Sequence, residues 1–258
     1  MSTPAKQVTA ARPYAWPHDL SLGKATTALV VIDMQRDFCA PDGYFAALGY
    51  DVAPIRAVIP RLRALLCAWR RAGWRVYHTR EGHRPDLSTL PQREAFRSRV
   101  GGAEIGAEGP LGRFLVRGEP GHDIVSELYP VAGEAVIDKP MRSAFSWTDF
   151  DLLLRNAGVR NLVVSSLFAP RVGRLPRHGL RQQRLTSRHI CGVTTDVCVL
   201  STVKDAVERG YDVLLLEDGC AAARGDINDA VMHSVQLEGG IAGCVAKIDD
   251  VLQVLAQA

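Results

Sequence analysis

Three side chains with acid, cationic and nucleophilic chemistry stand at the ends of apolar runs. Asp33 closes "TALVVID", Lys139 closes "EAVIDK", and Cys198 lies in "CGVTTDVCVL", just before the helical pattern of "STVKDAVERG". Cysteine is the strongest nucleophile among ordinary side chains once its proton is removed. In the first turn of a helix, the dipole and the free N–H groups favour thiolate over thiol. Thr194 or Thr195 is a capping candidate for that helix, Asp196 falls in its first turn, and Val199, Val203, Ala206 and Val207 mark its buried face. A nearby Lys139 ammonium is expected to lower the thiol pKa further. Asp33 can take the thiol proton and hand it to a leaving amine, and N–H groups of the turn can hold an oxyanion. Together these groups would make an amide-cleaving centre. Taken singly, each has a plainer reading as a core thiol, a turn-forming aspartate or a solvated lysine.

The elements that must position them alternate as in an α/β sheet. "TALVVID" is a continuous apolar run of the kind a buried parallel strand shows. Ile55, Val58, Ile59, Leu62, Leu65, Leu66 and Trp69 recur at helical spacing up to Gly73, with Pro60 predicting a kink or a split. Strands follow at "WRVYHTR", "EAVIDK", "RNLVV", "YDVLLLED" and "GIAGCVA". Helices are expected over "DFDLLLRNAG", from about Asp196 to Arg209, from Ile227 to Leu237, and at the end of the chain. The stretch from Glu81 to Gly133 reads as a long, loop-rich connection of functional length. The prediction is a doubly wound, mostly parallel six-stranded α/β sheet with helices on both faces. In such sheets, ligands bind beyond the carboxyl ends of the strands, where all three groups fall.

Composition narrows the class. The 258 residues are 47% hydrophobic and 23% charged, ordinary for one soluble domain. No apolar run approaches the roughly 18 residues that span a bilayer, and the first residues lack a secretory apolar core. Six cysteines without framework spacing predict reduced thiols and a cytoplasmic protein. No CxxC pair occurs, and His78 and His83 alone are a weak ligand set, so neither metal nor other cofactor is expected. Residues 1–26 read as an N-terminal arm, and 27–258 as one domain.

The formal charge of +3 is misleading as a global property. Residues 165–190 hold six arginines and no acid, and without those six charges the remainder stands at −3. Neither a nucleic-acid nor a membrane partner is expected from so local a patch.

The chain resembles the isochorismatase-like cysteine hydrolases. The resemblance rests on "ALVVIDMQRDFC" with Asp33, "VIDKPMRSAF" with Lys139, and "CGVTTDVCVLSTVKDA" with Cys198. It implies a Cys198–Asp33–Lys139 triad working through a thioester, and a cis peptide before Thr194 that aims the N–H groups of Thr194 and Cys198 at the oxyanion. It also implies a homo-oligomer, dimer or tetramer. Within the family, "HTREGHRPDLS" and the residues from Gly102 to Leu128 look most like the biuret and triuret hydrolase branch, with ureidoacrylate amidohydrolase related. The implied substrate is a small linear ureide, with Phe38, Arg80, His83 and Gln236 as candidate contacts. Vinyl-ether hydrolysis, as in isochorismatase itself, is the alternative reaction, and Cys198 counts against it. A catalytically inactive relative is the other alternative. In the family a strand like "NLVV" joins "CGVTTDVC" directly. Residues 165–190 interrupt it here as a surface loop, an interface adaptation or translated intervening sequence.

Overall fold

The computed structural model describes residues 7–165, 195–220 and 225–257. Its centre is a sheet of β1 (Thr27–Ile32), β2 (Arg75–Glu81), β5 (Ala135–Lys139), β6 (Asn161–Ser165), β7 (Asp212–Leu216) and β8 (Cys244–Ala246). The remaining strands, β3 (Glu108–Gly109) and β4 (Gly112–Arg113), form a small antiparallel hairpin. Every pairing in the central sheet is parallel, in the order β5-β2-β1-β6-β7-β8. Strands β1 and β6 are buried along their whole length, which explains their unbroken apolar runs.

The chain winds outward from β1 to β2 and β5, then crosses back to β6 and winds the other way. Right-handed crossovers therefore place the connecting helices on opposite faces. Along the first half run α1 (Arg36–Cys39), α2 (Tyr44–Ala47), α3 (Ala53–Ala57), α4 (Ile59–Arg71) and α5 (Gln92–Gly101). The second half supplies α6 (Phe150–Asn156), α7 (Leu200–Glu208), α8 (Gly225–Gly240) and α9 (Ile248–Leu255), and α9 returns to pack on α4. The split expected at Pro60 lies between α3 and α4, with the proline in the first turn of the latter. There it costs no hydrogen bond, because that N–H has no helical acceptor. Helix α4 buries Leu62, Leu65, Leu66 and Trp69, and the Trp69 indole donates to Arg75 O at 2.9 Å, tying the helix end to the start of β2.

The loop-rich stretch from Glu81 to Gly133 also contains α5. That helix buries Glu94 and Ser98 and exposes Phe96 and Val100, the inverse of an amphipathic pattern, so its apolar spacing gives no signal. The described part of the N-terminal arm is tied into the fold. Trp16 is fully buried in the common core, and Arg12 exchanges backbone hydrogen bonds with Val245 of 2.9 and 2.8 Å. That pairing covers the free edge of β8, which would otherwise offer unpaired N–H and C=O groups to other chains.

No helix among the described residues is long and apolar enough to cross a membrane.

Candidate active site

The order of strands reverses between β1 and β6, and four reactive side chains converge at that end of the sheet. Asp33 follows β1, Glu81 closes β2, Lys139 closes β5, and Cys198 lies in the segment that follows β6. Lys139 Nζ is 2.7 Å from Asp33 Oδ2, 3.3 Å from Glu81 Oε2 and 3.5 Å from Cys198 Sγ, and it donates to Met141 O at 3.0 Å. The Cys198 thiol donates to Glu81 Oε2 at 3.2 Å. All four side chains are buried. The three residues expected to act together are thus in contact around one ammonium, and Glu81 joins them.

Each is held from behind. Asp33 has φ 52°, left-handed backbone that aspartate tolerates better than most residues at a cost of about 1 kcal/mol. Its N–H is bound by Thr79, whose hydroxyl donates to Asp33 Oδ1 at 2.5 Å. Glu81 is clamped by the Gln35 side chain, which accepts from Glu81 N at 2.6 Å and donates to Glu81 O at 2.9 Å. The next residue must be glycine, because a Cβ at Gly82 would fall 2.4 Å from the His122 ring. Cys198 lies in a π-helical turn, Thr195–Val199, that leads into α7. Such turns are frequent at functional sites. The Thr202 hydroxyl accepts from Ala144 N and donates to Cys198 O at 2.7 Å, linking the cysteine turn to the loop that follows Lys139.

The expected thiol chemistry is corrected. Burial drives the Cys198 pKa well above its ordinary value, and Glu81 and Asp33 add to that, outweighing Lys139. One ammonium faces two carboxylates here, so a further anion on sulfur is disfavoured. Burial likewise raises Asp33, against the pull of Lys139. Glu81 is also penalised by burial, yet Lys139 and Arg142 bring it down to about 2. The resting site therefore holds a neutral thiol, an ionised Glu81, and an Asp33 whose raised pKa suits it to accept a proton.

Glu81 and Cys198 line a cavity of about 480 Å³, together with Phe38, Tyr44, Arg97, Arg142 and others. Asp33 and Lys139 are not among its lining residues. Phe38 is thus placed on the cavity wall. The other three candidate contacts are not, and each is engaged elsewhere. Arg80 forms a two-pronged pair with Asp138 (2.7 and 3.1 Å) and reaches Asp123 at 3.2 Å. His83 Nδ1 is 3.0 Å from Thr89 O, and Gln236 Nε2 donates to Met232 O on its own helix. Thr195 does not cap the helix, since its hydroxyl donates to Asn228 on α8 at 2.8 Å. Thr194 and the cis peptide before it lie outside the described residues. Sequence reasoning missed Arg142, Arg97 and Glu81. Glu81 was nevertheless signalled by its position, at the carboxyl end of a parallel strand like Asp33 and Lys139.

Asp33, Glu81 and Cys198 offer one ligand atom each within 4.8 Å of one another, a spacing that suits a metal ion. Lys139 Nζ contacts all three, so an ammonium already stands where that cation would sit. His78 and His83 belong to no such group among the described residues.

The wall behind Gln35 makes the fold acid-sensitive. Burial holds His122 down to about 4, with its Nε2 3.7 Å from Asp138 and Arg80 and Arg117 nearby. Below pH 6.5 the unfolded chain takes up a proton that folded His122 refuses. Stability is then lost as pH falls from about 6.5 toward 4, by of order 3 kcal/mol over that span. Urea unfolding of His122→Gln should show a flatter dependence across this window than the unsubstituted protein.

The isochorismatase domain family matches residues 27–166 and 178–247, and the break between them falls inside the arginine-rich run. Ureidoacrylate amidohydrolase RutB of Azorhizobium caulinodans is 28% identical over 252 residues, covering 94% of this chain and 96% of that protein. The Pantoea ananatis protein of the same name is 30% identical over 224 residues, with 83% and 74% covered. Among solved structures, a cysteine hydrolase from Pseudomonas syringae pv. phaseolicola superposes with a TM-score of 0.68 at 24% identity, covering 99% of both chains. An isochorismatase family protein from Desulfovibrio vulgaris gives 0.64 at 28% identity, with 90% and 98% covered.

Proposed function

The chain belongs to the isochorismatase family, and from that premise we propose that it is a cysteine-dependent amidohydrolase cleaving a C–N bond of a small ureido compound through a thioester. The observation that carries this reading is a thiol lining a cavity, 3.5 Å from a buried ammonium and flanked by two carboxylates. The thiol proton passes to Asp33, sulfur adds to the carbonyl carbon, and the amine departs with the proton that Asp33 returns. Water then attacks the thioester, with Asp33 taking its proton and returning it to sulfur as the C–S bond breaks, which restores the thiol. Lys139 stays charged throughout and offsets the negative charge that accumulates. The family resemblance assigns the oxyanion to the N–H groups of Cys198 and Thr194. A single nucleophile with a recycled carboxylate is economical for amides, whose leaving nitrogen must be protonated.

Two observations favour a ureido acid over neutral biuret or triuret. The curated relatives named above are ureidoacrylate amidohydrolases. The cavity also carries Arg93, Arg97 and Arg142, all three paired with the single carboxylate of Glu94. Three guanidiniums gathered on one carboxylate place positive charge beside the acids Glu81 and Asp205 of the same wall, and a substrate carboxylate would bind against Arg142. Free thiols at Cys39, Cys67, Cys198 and Cys244 are in keeping with a cytoplasmic setting. Purified protein should release amine or ammonia from ureidoacrylate faster than from biuret or triuret. Arg142→Met should raise KM for the acid about 10- to 100-fold, the range of a charge-assisted hydrogen bond, and leave biuret within a few-fold. Hydrolysis of none of the three would sink the reading.

A further inference from the structure

We propose that Glu81 receives the N–H donors of the substrate, and that this handover releases the Cys198 proton to Asp33. The inference rests on the nucleophile assigned above and adds a condition for its activation. Its origin is an asymmetry in the cluster: Glu81 and Cys198 line the cavity, whereas Asp33 and Lys139 do not. In the resting site the thiol spends its proton on Glu81 Oε2 at 3.2 Å. The group a bound amide meets first is therefore the same oxygen that holds the sulfur proton in place.

Charge explains why the handover matters. To accept the thiol proton Asp33 must be ionised, and with Glu81 ionised and Lys139 protonated the buried cluster then carries −1 while the thiol is neutral. Exporting the thiol proton to solvent would leave −2 in a desolvated space, which is strongly disfavoured. Moving it to Asp33 keeps the total at −1, because the S–H bond breaks as an O–H bond forms on a carboxylate of the same cluster. The Glu81 backbone is fixed by Gln35 through both of its polar groups, and its carboxylate is held by Lys139 at 3.3 Å. A primary amide or ureido N–H that donates to Glu81 Oε2 displaces the S–H from it and stabilises the ionised carboxylate. Sulfur then adds to the adjacent carbonyl, the carbonyl π electrons move to oxygen, and Asp33 returns its proton to nitrogen as the C–N bond breaks. Carbonyl compounds without N–H donors leave the thiol protonated. Glu81 thus selects for carboxamides and ureides.

Two alkylating agents of equal chemistry separate the cases. Iodoacetamide carries an NH2 group and methyl iodoacetate does not, and both alkylate sulfur through their CH2 carbon, keeping the carbonyl group attached and releasing iodide. The ratio of their rate constants at Cys198, followed by peptide mass mapping, is divided by the same ratio for glutathione. The expected value for the unsubstituted protein is at least about 10 in favour of iodoacetamide, the effect of one charge-assisted hydrogen bond. In Glu81→Gln the ratio should fall toward 1, while the methyl iodoacetate rate rises because a carboxylate no longer opposes the thiolate. A ratio near 1 in the unsubstituted protein overturns the inference, even if Glu81→Gln fails to fold. Equal slowing of both reagents in the variant, with the ratio unchanged, also overturns it and leaves Glu81 a positioning residue. Failure of both reagents to modify Cys198, with hydrolysis persisting in Cys198→Ser, removes the nucleophile itself and this inference with it.

Discussion

Cys198→Ser should lose at least about 10³-fold in kcat while the protein keeps its fold. A hydroxyl in this position faces a much harder deprotonation than a thiol, and the base available is a carboxylate rather than an imidazole. Covalent catalysis fails as a unit when its nucleophile is removed, so little residual rate is expected from the other residues. The substitution is nearly isosteric, and Oγ can still donate to Glu81 Oε2, which Sγ contacts at 3.2 Å. The melting temperature should therefore move by no more than a few degrees, a change of about 1 kcal/mol or less. Parallel assays of turnover and thermal unfolding check both halves. Loss of activity together with loss of fold would leave the catalytic assignment unsupported.

Lys139→Met should be more severe, because it damages stability as well as activity. The lysine is fully buried, and methionine replaces most of its stem without the charge. Asp33 and Glu81 would then confront each other without a counter-ion. Removing one partner from a buried ionic cluster typically costs about 3–5 kcal/mol, since the remaining charge stays desolvated. The pH dependence identifies the cause. In the intact protein Glu81 is depressed to about 2, so its contribution is present above the ordinary carboxylate range and lost only as pH falls toward 2. Without the ammonium both carboxyls should titrate above their unfolded values. The variant then gains relative stability on acidification and loses it as pH rises through the folded values. Urea unfolding at pH 5 and pH 8 should show a smaller deficit at pH 5. Equal deficits at both would point to lost packing rather than charge. Turnover should fall at least about 100-fold, because the ammonium no longer offsets the growing negative charge.

What could be read from residue order, and what could not, follows physical lines. The strands were legible because burial on both faces leaves unbroken apolar runs, as in "TALVVID". Asp33 and Lys139 were legible because polar residues that end such runs stand at the carboxyl rim of a parallel sheet. Helix α5 was hidden because its buried side includes Glu94, which meets Arg93, Arg97 and Arg142 rather than apolar partners. Glu81 was signalled by its place at a strand end but overlooked, because a charged residue after Arg80 reads as solvated; that Lys139 and Cys198 surround it comes from the fold. The thiol's protonation was misjudged because the sequence suggested its one nearby cation but not both nearby anions. Arg80, His83 and Gln236 had suitable chemistry for a planar ureide. Their hydrogen bonds to Asp138, Thr89 and Met232 depend on loop and helix paths that residue types alone do not fix.

Every step of this account passes through a covalent bond between the residue 198 sulfur and the substrate's carbonyl carbon. Rapid acid quench during turnover of ureidoacrylate, followed by peptide mass analysis, measures that bond directly. The account predicts a mass increment equal to the acyl portion on the peptide containing Cys198, absent from Cys198→Ser. Steady-state hydrolysis by Cys198→Ser at a rate near that of the unsubstituted protein, with no increment on that peptide in either, would contradict it.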